Sequence, residues 1–148
     1  MYDHILIATD GSDLAKKGVD QGLALAARLG AKVTIVSVSE PLDARALRAA
    51  RMAGVEDPVG RYDQSVDEEM AKRFASIRQR AAEKGVAVEL THEIDEHPAE
   101  AIVRLADRIN CDLIVMSSHG RRGVRRLVLG SQTAEVVTST TRPVLVIR

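Results

Sequence analysis

The chain has 148 residues, which is enough for one domain with a sizeable core. Lysine plus arginine equals aspartate plus glutamate at 21 each, so no overall field draws the protein to nucleic acid or to an anionic membrane. Aromatic residues make up 2% of the chain, which leaves little material for stacking on nucleic-acid bases. We therefore expect a single domain over residues 1–148 that binds neither nucleic acid nor a membrane.

The termini and the cysteine content indicate the compartment. No apolar run of about 18 residues appears, and Met1 leads directly into a strand-like pattern instead of a signal peptide. These features predict a cytoplasmic protein. Cys111 is the single cysteine, which excludes an internal disulfide and a thiolate metal cluster. Because an apolar run follows it, we interpret Cys111 as a small core residue with no chemical role.

Short apolar runs rich in valine and isoleucine alternate with segments whose apolar residues recur every three or four positions. The first pattern predicts buried strands and the second predicts helices. In chain order we expect a strand at 5–9, a helix at 14–29, a strand at 32–39, a helix at 63–84, a strand at 86–93, a helix at 98–110, a strand at 112–117, a helix at 132–140 and a strand at 144–147.

The connection 40–62 interrupts this alternation. Pro41, Gly54, Pro58 and Gly60 break it up, and we expect a mobile segment that carries one short helix over 43–53. Elsewhere, strict alternation implies a parallel sheet with right-handed crossovers and helices on both faces. The expected fold class is therefore α/β, a three-layer doubly wound sandwich with a five-stranded parallel sheet.

Polar and glycine residues follow the first and fourth predicted strands. The first strand ends in Thr9, Asp10, Gly11 and Ser12, and the fourth leads into an arginine-rich glycine loop that ends at Gly130-Ser131. In a doubly wound sheet the ligand crevice opens at such strand ends. Glycines let backbone amides approach an anion, and the start of the last helix adds free N–H groups and the positive end of its dipole. The same residues are equally typical of a loop in which Ser131 merely caps a helix.

Each charged candidate also has a structural alternative. Asp10 either contacts a ligand or caps the turn after the first strand. Arg121 and Arg122 either pair with phosphate oxygens or stay solvated. His119 could donate to a phosphate, but a loop histidine with no partner carboxylate is more often structural. We assign no catalytic base to this chain.

The loop spacing resembles the phosphate motif of the universal stress protein family. That motif has a glycine, two residues, a second glycine, nine residues and then Gly-Ser or Gly-Thr; here Ser117-Ser118-His119-Gly120 is followed by nine residues and Gly130-Ser131. The opening segment 5–12 and the closing segment 142–147 also resemble the family, so the similarity spans essentially the whole chain. Ser117 stands where the family has its first glycine. Its β-carbon narrows the approach of a nucleotide to the backbone, and its hydroxyl can replace part of the lost contact.

The resemblance implies an adenine nucleotide alpha hydrolase-like, Rossmann-like fold with strand order 3-2-1-4-5 and a pocket for ATP or AMP. Asp10 would reach the ribose and phosphate end, Val38 the adenine, and Gly120, Gly130 and Ser131 the phosphates. The full implied nucleotide-binding set is Ala8, Thr9, Asp10, Val38, Met116, Ser117, His119, Gly120, Arg121, Arg122, Gly123, Gly130, Ser131, Gln132 and Thr133. The protein alone would form no metal site, and Mg²⁺ or Mn²⁺ would bridge the phosphates near Asp10.

The resemblance further implies a stress-response regulatory protein that acts as a homodimeric sensor or signalling module with an unknown protein partner. The dimer would form through the last strand, whose residues are Val144, Leu145, Val146 and Ile147. Two alternatives remain open at the level of sequence. A slow ATPase or phosphotransfer enzyme is one, although the G-x-x-x-x-G-K-[S/T] loop is missing. A nucleotide-free interaction protein of the same fold is the other, and the Ser117 departure keeps it open.

Overall fold

The computed structural model describes residues 1–120 and 129–148. Within them lie five strands and five helices, with two successive helices between the second and third strands. The elements in chain order are β1 (His4–Ala8), α1 (Asp13–Leu29), β2 (Lys32–Ser39), α2 (Ala44–Met52), α3 (Pro58–Glu83), β3 (Val88–Ile94), α4 (Pro98–Arg108), β4 (Leu113–Ser117), α5 (Ser131–Ser139) and β5 (Val144–Ile147).

The strands form one parallel sheet in the order β3-β2-β1-β4-β5, which confirms the expected fold class and strand order. The central strands β1 and β4 are buried along their whole apolar length because helices cover both faces. One core lies between the sheet and helices α1 and α3, and the other between the sheet and helices α4 and α5. Cys111 is fully buried in the second core.

The ends of the helices follow from local chemistry. Ser12 caps α1 by accepting a hydrogen bond from the backbone N–H of Ala15 at 3.2 Å. At the other end Gly30 adopts the left-handed conformation, with φ of 66°, that closes many helices. Most predicted boundaries are correct within two residues. Among the described residues, no helix combines the length and the apolar character needed to span a membrane.

The start of α3 is the one helix boundary that the sequence pattern placed wrongly. The expected start near residue 63 is wrong, because Pro58 and Gly60 belong to the first turn and do not interrupt the helix. Proline suits this turn since its missing N–H has no helical partner there. Asp57 caps the helix by accepting from the N–H of Gly60 at 3.1 Å, and a β-carbon on Gly60 would collide with that carboxylate.

The length of α3 has a direct consequence for the edge of the sheet. Its 26 residues are in one continuous helix, which corresponds to about 39 Å. Ile77 and Ala81, near its end, pack in the core against the sheet. The first half of α3 therefore lies beyond the carboxyl edge of the sheet, above the ends of β1 and β2.

Candidate functional site

A cavity of about 460 Å³ opens at the carboxyl ends of the strands. It lies where the strand order reverses, between β1 and β4, the place at which doubly wound folds carry their ligands. The structure brings together around it all twelve described members of the nucleotide-binding set predicted from sequence. These are Ala8, Thr9, Asp10, Val38, Met116, Ser117, His119, Gly120, Gly130, Ser131, Gln132 and Thr133. The other three, Arg121, Arg122 and Gly123, lie outside the described residues.

The turn after β1 places Asp10 on the cavity wall. Its Oδ1 accepts from the N–H of Ser12 at 3.0 Å, and the preceding Thr9 hydroxyl accepts from the N–H of Gly11 at 3.2 Å. A β-carbon on Gly120 would collide with the other carboxylate oxygen of Asp10. Asp10 therefore caps the turn through Oδ1 and also lines the cavity, and its contact with a ligand stays a prediction.

The end of β4 shows how the chain accommodates Ser117. The Ser117 hydroxyl donates to the backbone carbonyl of His119 at 3.1 Å. A β-carbon on Gly18 of α1 would lie 4.0 Å from the β-carbon of Ser117, so the serine side chain faces α1. The small residue at position 18 leaves room for it. The β-carbon of Ser117 is directed toward α1. It therefore narrows the approach of a ligand to the backbone less than the sequence suggested.

The start of α5 corrects one sequence-based expectation. Gly130, and not Ser131, is the N-cap, and among the described residues no side-chain hydrogen bond caps this helix. The N–H of Gly130 donates to the carbonyl of Ser118 at 2.7 Å, and a β-carbon on Gly130 would lie 2.9 Å from the Cα of His119. This close approach requires glycine at the cap. Ser131 is consequently the first residue of the helix, exposed at the cavity rim, where its backbone N–H is one of the first-turn donors.

The next two residues of α5 hold the helix start in position. Thr133 is buried, and its hydroxyl donates to the carbonyl of Ser117 at 2.8 Å. The side-chain oxygen of Gln132 accepts from the N–H of Ala99, in the first turn of α4, at 3.0 Å. These bonds tie α5 to β4 and to α4. As a result the backbone N–H groups of the first turn keep a fixed orientation toward the cavity.

The sequence analysis missed an entire wall of the cavity, which the first half of α3 supplies. Five of its residues line the cavity, namely Tyr62, Val66, Glu69, Met70 and Arg73. Their spacing of four, three, one and three residues is that of one helix face. This periodicity could have identified the cavity-lining face of α3 from the sequence. However, the helix was expected to start only at residue 63, and nothing in the sequence placed its N-terminal half relative to the sheet.

The cavity has an apolar part and a polar part. Apolar side chains from five elements line it, among them Val38, Met70, Ile102 and Met116. The described lining contains three carboxyl side chains, on Asp10, Glu40 and Glu69, and the guanidinium of Arg73. Within residues 1–120 and 129–148, no group of three or more histidine, cysteine, aspartate or glutamate side chains is placed to hold a metal ion.

The sheet order and the location of the cavity define a doubly wound α/β domain of the class whose ligand site lies at the switch point. The family can be stated as well. The model of the universal stress protein family matches residues 1–148, and the chain belongs to that family.

Curated relatives have matching lengths. A universal stress protein of Thermus aquaticus is 34% identical over 151 residues, and the alignment covers all of both chains. The universal stress protein YxiE of Bacillus subtilis is 30% identical over 152 residues, again with full coverage of both.

Solved structures share the fold. Protein MJ0577 of Methanocaldococcus jannaschii superimposes with a TM-score of 0.80 at 25% identity, covering 99% of this chain and 96% of that one. A universal stress protein solved in complex with cAMP gives a TM-score of 0.72 at 24% identity, covering 99% of this chain and 97% of its own. The universal stress protein of Archaeoglobus fulgidus, solved in complex with dAMP, gives 0.66 at 19% identity and covers 99% and 98%.

Proposed function

We propose that this chain, as a single universal stress protein domain of the cytoplasm, binds an adenine nucleotide, ATP or AMP, and acts as a regulatory module in the stress response. The observation that carries the proposal is the cavity itself. It combines the first-turn N–H groups of α5 with an apolar compartment at the ends of β2 and β4. A phosphate suits the first and a purine base suits the second. The cAMP and dAMP complexes of other proteins of this fold support an adenine nucleotide as the ligand.

The proposed arrangement assigns each part of the nucleotide to a part of the cavity. The phosphates lie against Gly120, Gly130 and the first turn of α5, where backbone N–H groups and the helix dipole stabilise negative charge. The base lies against Val38 and Met116. The sugar lies between them, next to Asp10, whose second carboxylate oxygen faces Gly120. Arg121 and Arg122 are proposed to pair with phosphate oxygens.

A divalent cation would join the site through the ligand. With no cluster of protein ligands in the described part of the chain, Mg²⁺ or Mn²⁺ would bridge phosphate oxygens and keep its remaining waters. Asp10 is the nearest candidate for an outer contact. We propose binding and not catalysis, because no lysine lines the described part of the cavity.

Calorimetric titration of the purified protein with ATP and with AMP, each with and without Mg²⁺, tests the proposal. The expected result is saturable binding with one site per chain and a weaker response to GTP. A matched pair of variants locates the site. Gln132→Ala releases the start of α5 from Ala99 and should weaken binding, whereas Gln79→Ala, on the exposed end of α3, should not. The absence of heat at millimolar ATP and AMP would contradict the proposal.

We further propose that two copies pair through β5. This strand is at one edge of the sheet, and β4 is its partner in the described sheet. Leu145 is 39% exposed on it, so an apolar side chain is available at this edge for a second copy. Val146→Lys should shift the mass measured by light scattering from dimer to monomer. Ile94→Lys, at the opposite edge, is the control. An unchanged dimer in the Val146 variant would refute this interface.

A further inference from the structure

The α3 wall carries an ion pair that the family motif does not include. Arg73 and Glu69 are one helical turn apart, and the guanidinium Nη2 lies 2.9 Å from the Glu69 carboxylate. The Arg73 side chain is 11% exposed, whereas that of Glu69 is 48% exposed. Both residues line the cavity. The pair therefore combines a largely buried guanidinium with a partly exposed carboxylate on the lining of the cavity.

Arg73 is held on three sides. Its Nη1 donates to the hydroxyl of Ser37 at 2.5 Å, and that hydroxyl donates in turn to the carbonyl of Thr9 at 2.7 Å. A β-carbon on Gly11 would lie 2.5 Å from the Arg73 Nε, so the guanidinium packs directly on the turn that carries Asp10. A fixed guanidinium that binds two acceptors loses little freedom on ligand binding. Glu69 is thereby positioned next to the same turn.

The chemistry of this wall identifies the part of the nucleotide that it faces. The phosphates require the α5 start, and the Glu69 carboxylate would repel them at the α3 wall. The base requires the apolar compartment. The sugar, with hydroxyl donors, is the part that matches a carboxylate wall. In other doubly wound folds a carboxylate accepts from the ribose 2′-hydroxyl, whereas an arginine at that position accommodates a 2′-phosphate.

We infer that Glu69 and Arg73 determine specificity at the sugar of the nucleotide. Glu69 accepts a hydrogen bond from a ribose hydroxyl and repels a phosphate at that position, and Arg73 is the positioning residue that fixes its carboxylate. This inference rests on the proposed nucleotide binding and adds a sugar preference to it. It also predicts that the guanidinium next to Glu69 would bind a 2′-phosphate once the Glu69 charge is removed.

The test measures the affinities of the full-length protein for AMP and for adenosine 2′,5′-bisphosphate by calorimetry. The wild-type protein should prefer AMP by at least about tenfold, the size of effect that one unfavourable charge contact of this kind produces. Glu69→Gln keeps the shape of the side chain and should narrow that preference by about tenfold or more. Glu68→Gln is the matched control, because Glu68 is exposed, accepts from Gln64 at 3.2 Å and does not line the cavity.

A double variant tests the role of Arg73. Glu69→Gln combined with Arg73→Met should lose the gained affinity for the bisphosphate, because the guanidinium that binds the 2′-phosphate is gone. If Glu69→Gln binds AMP with the wild-type preference intact, the inference is wrong and the proposed function stands. An equal change in Glu68→Gln would also overturn it, since the effect would then be general charge. If none of the proteins binds either nucleotide, the inference and the proposed function both fail.

Discussion

Replacing Gly130 by alanine tests how the α5 start is built. Gly130 has φ of −56° and ψ of 149°, a conformation that alanine adopts without strain, so any effect comes from contacts. The new β-carbon would lie 2.9 Å from the Cα of His119, 3.0 Å from its Cβ and 3.1 Å from the carbonyl oxygen of Ser118. Two of these atoms are backbone and cannot rotate away. We expect a loss of about 1–3 kcal/mol in the free energy of unfolding, the usual cost of overpacking.

Urea unfolding and thermal melting measure this loss, which corresponds to a decrease in Tm of roughly 2–12 °C for a chain of this length. The control is Gly18→Ala in α1, whose β-carbon would meet nothing closer than 3.7 Å. Because alanine favours a helix over glycine, this control should gain up to about 1 kcal/mol. Nucleotide affinity should fall by about tenfold or more in Gly130→Ala, because the new β-carbon pushes the start of α5 away from His119 and moves the first-turn N–H groups with it. Equal stabilities and equal affinities for the two variants would refute this account of the phosphate cradle.

Three further predictions concern single side chains. Ser117→Gly should lower the free energy of unfolding by about 1 kcal/mol, because the hydrogen bond to the His119 carbonyl is lost. Its ATP affinity, measured by calorimetry, should stay within about threefold of the wild-type value because the Ser117 side chain faces α1. A large gain in affinity would show that Ser117 obstructs the site. Burial raises the pKa of the Cys111 thiol and shields it from reagents. At pH 8 a thiol reagent whose reaction is monitored by absorbance should therefore label the native protein far more slowly than the protein unfolded in guanidinium. Rapid labelling of the native protein would contradict the buried position of Cys111. Hydrogen bonds from the N–H of His97 and from Arg104 lower the pKa of Asp95 from its ordinary value. The stability difference between the wild-type protein and Asp95→Asn should therefore be present above pH 4 and shrink as the pH falls through the lowered pKa. A difference that does not change with pH in urea titrations would refute this origin.

Much of the fold follows from periodicity alone. The strands β1 and β4 are short apolar runs because helices cover them on both sides, and this pattern admits few alternatives. Glycines at 30 and 85 mark helix ends through their left-handed conformation. The alternation of strands and helices then predicts the doubly wound class. The strand order came from the resemblance to the family, since alternation does not specify it.

The α3 wall could not be predicted in the same way. The predicted start was wrong because proline and glycine are tolerated in the first turn of a helix but disrupt its interior. The sequence does not show which of these positions Pro58 and Gly60 occupy. The pairing of Arg73 with Ser37 joins residues that are 36 positions apart. Such a contact depends on how far α3 extends beyond the sheet. The role of Ser131 was misjudged for a similar reason, because the contact of Gly130 with His119 decides which residue caps α5.

The central claim is that an adenine nucleotide occupies the cavity between β1, β4 and α5, and amide chemical-shift mapping tests it most directly. ATP titrated into ¹⁵N-labelled protein should shift the N–H signals of Thr9 to Gly11 and of Gly130 to Thr133 along one saturation curve, while signals of α2 and of the far end of α3 stay unchanged. Absence of shifts at millimolar ATP, or shifts confined to residues outside the cavity, would contradict the account.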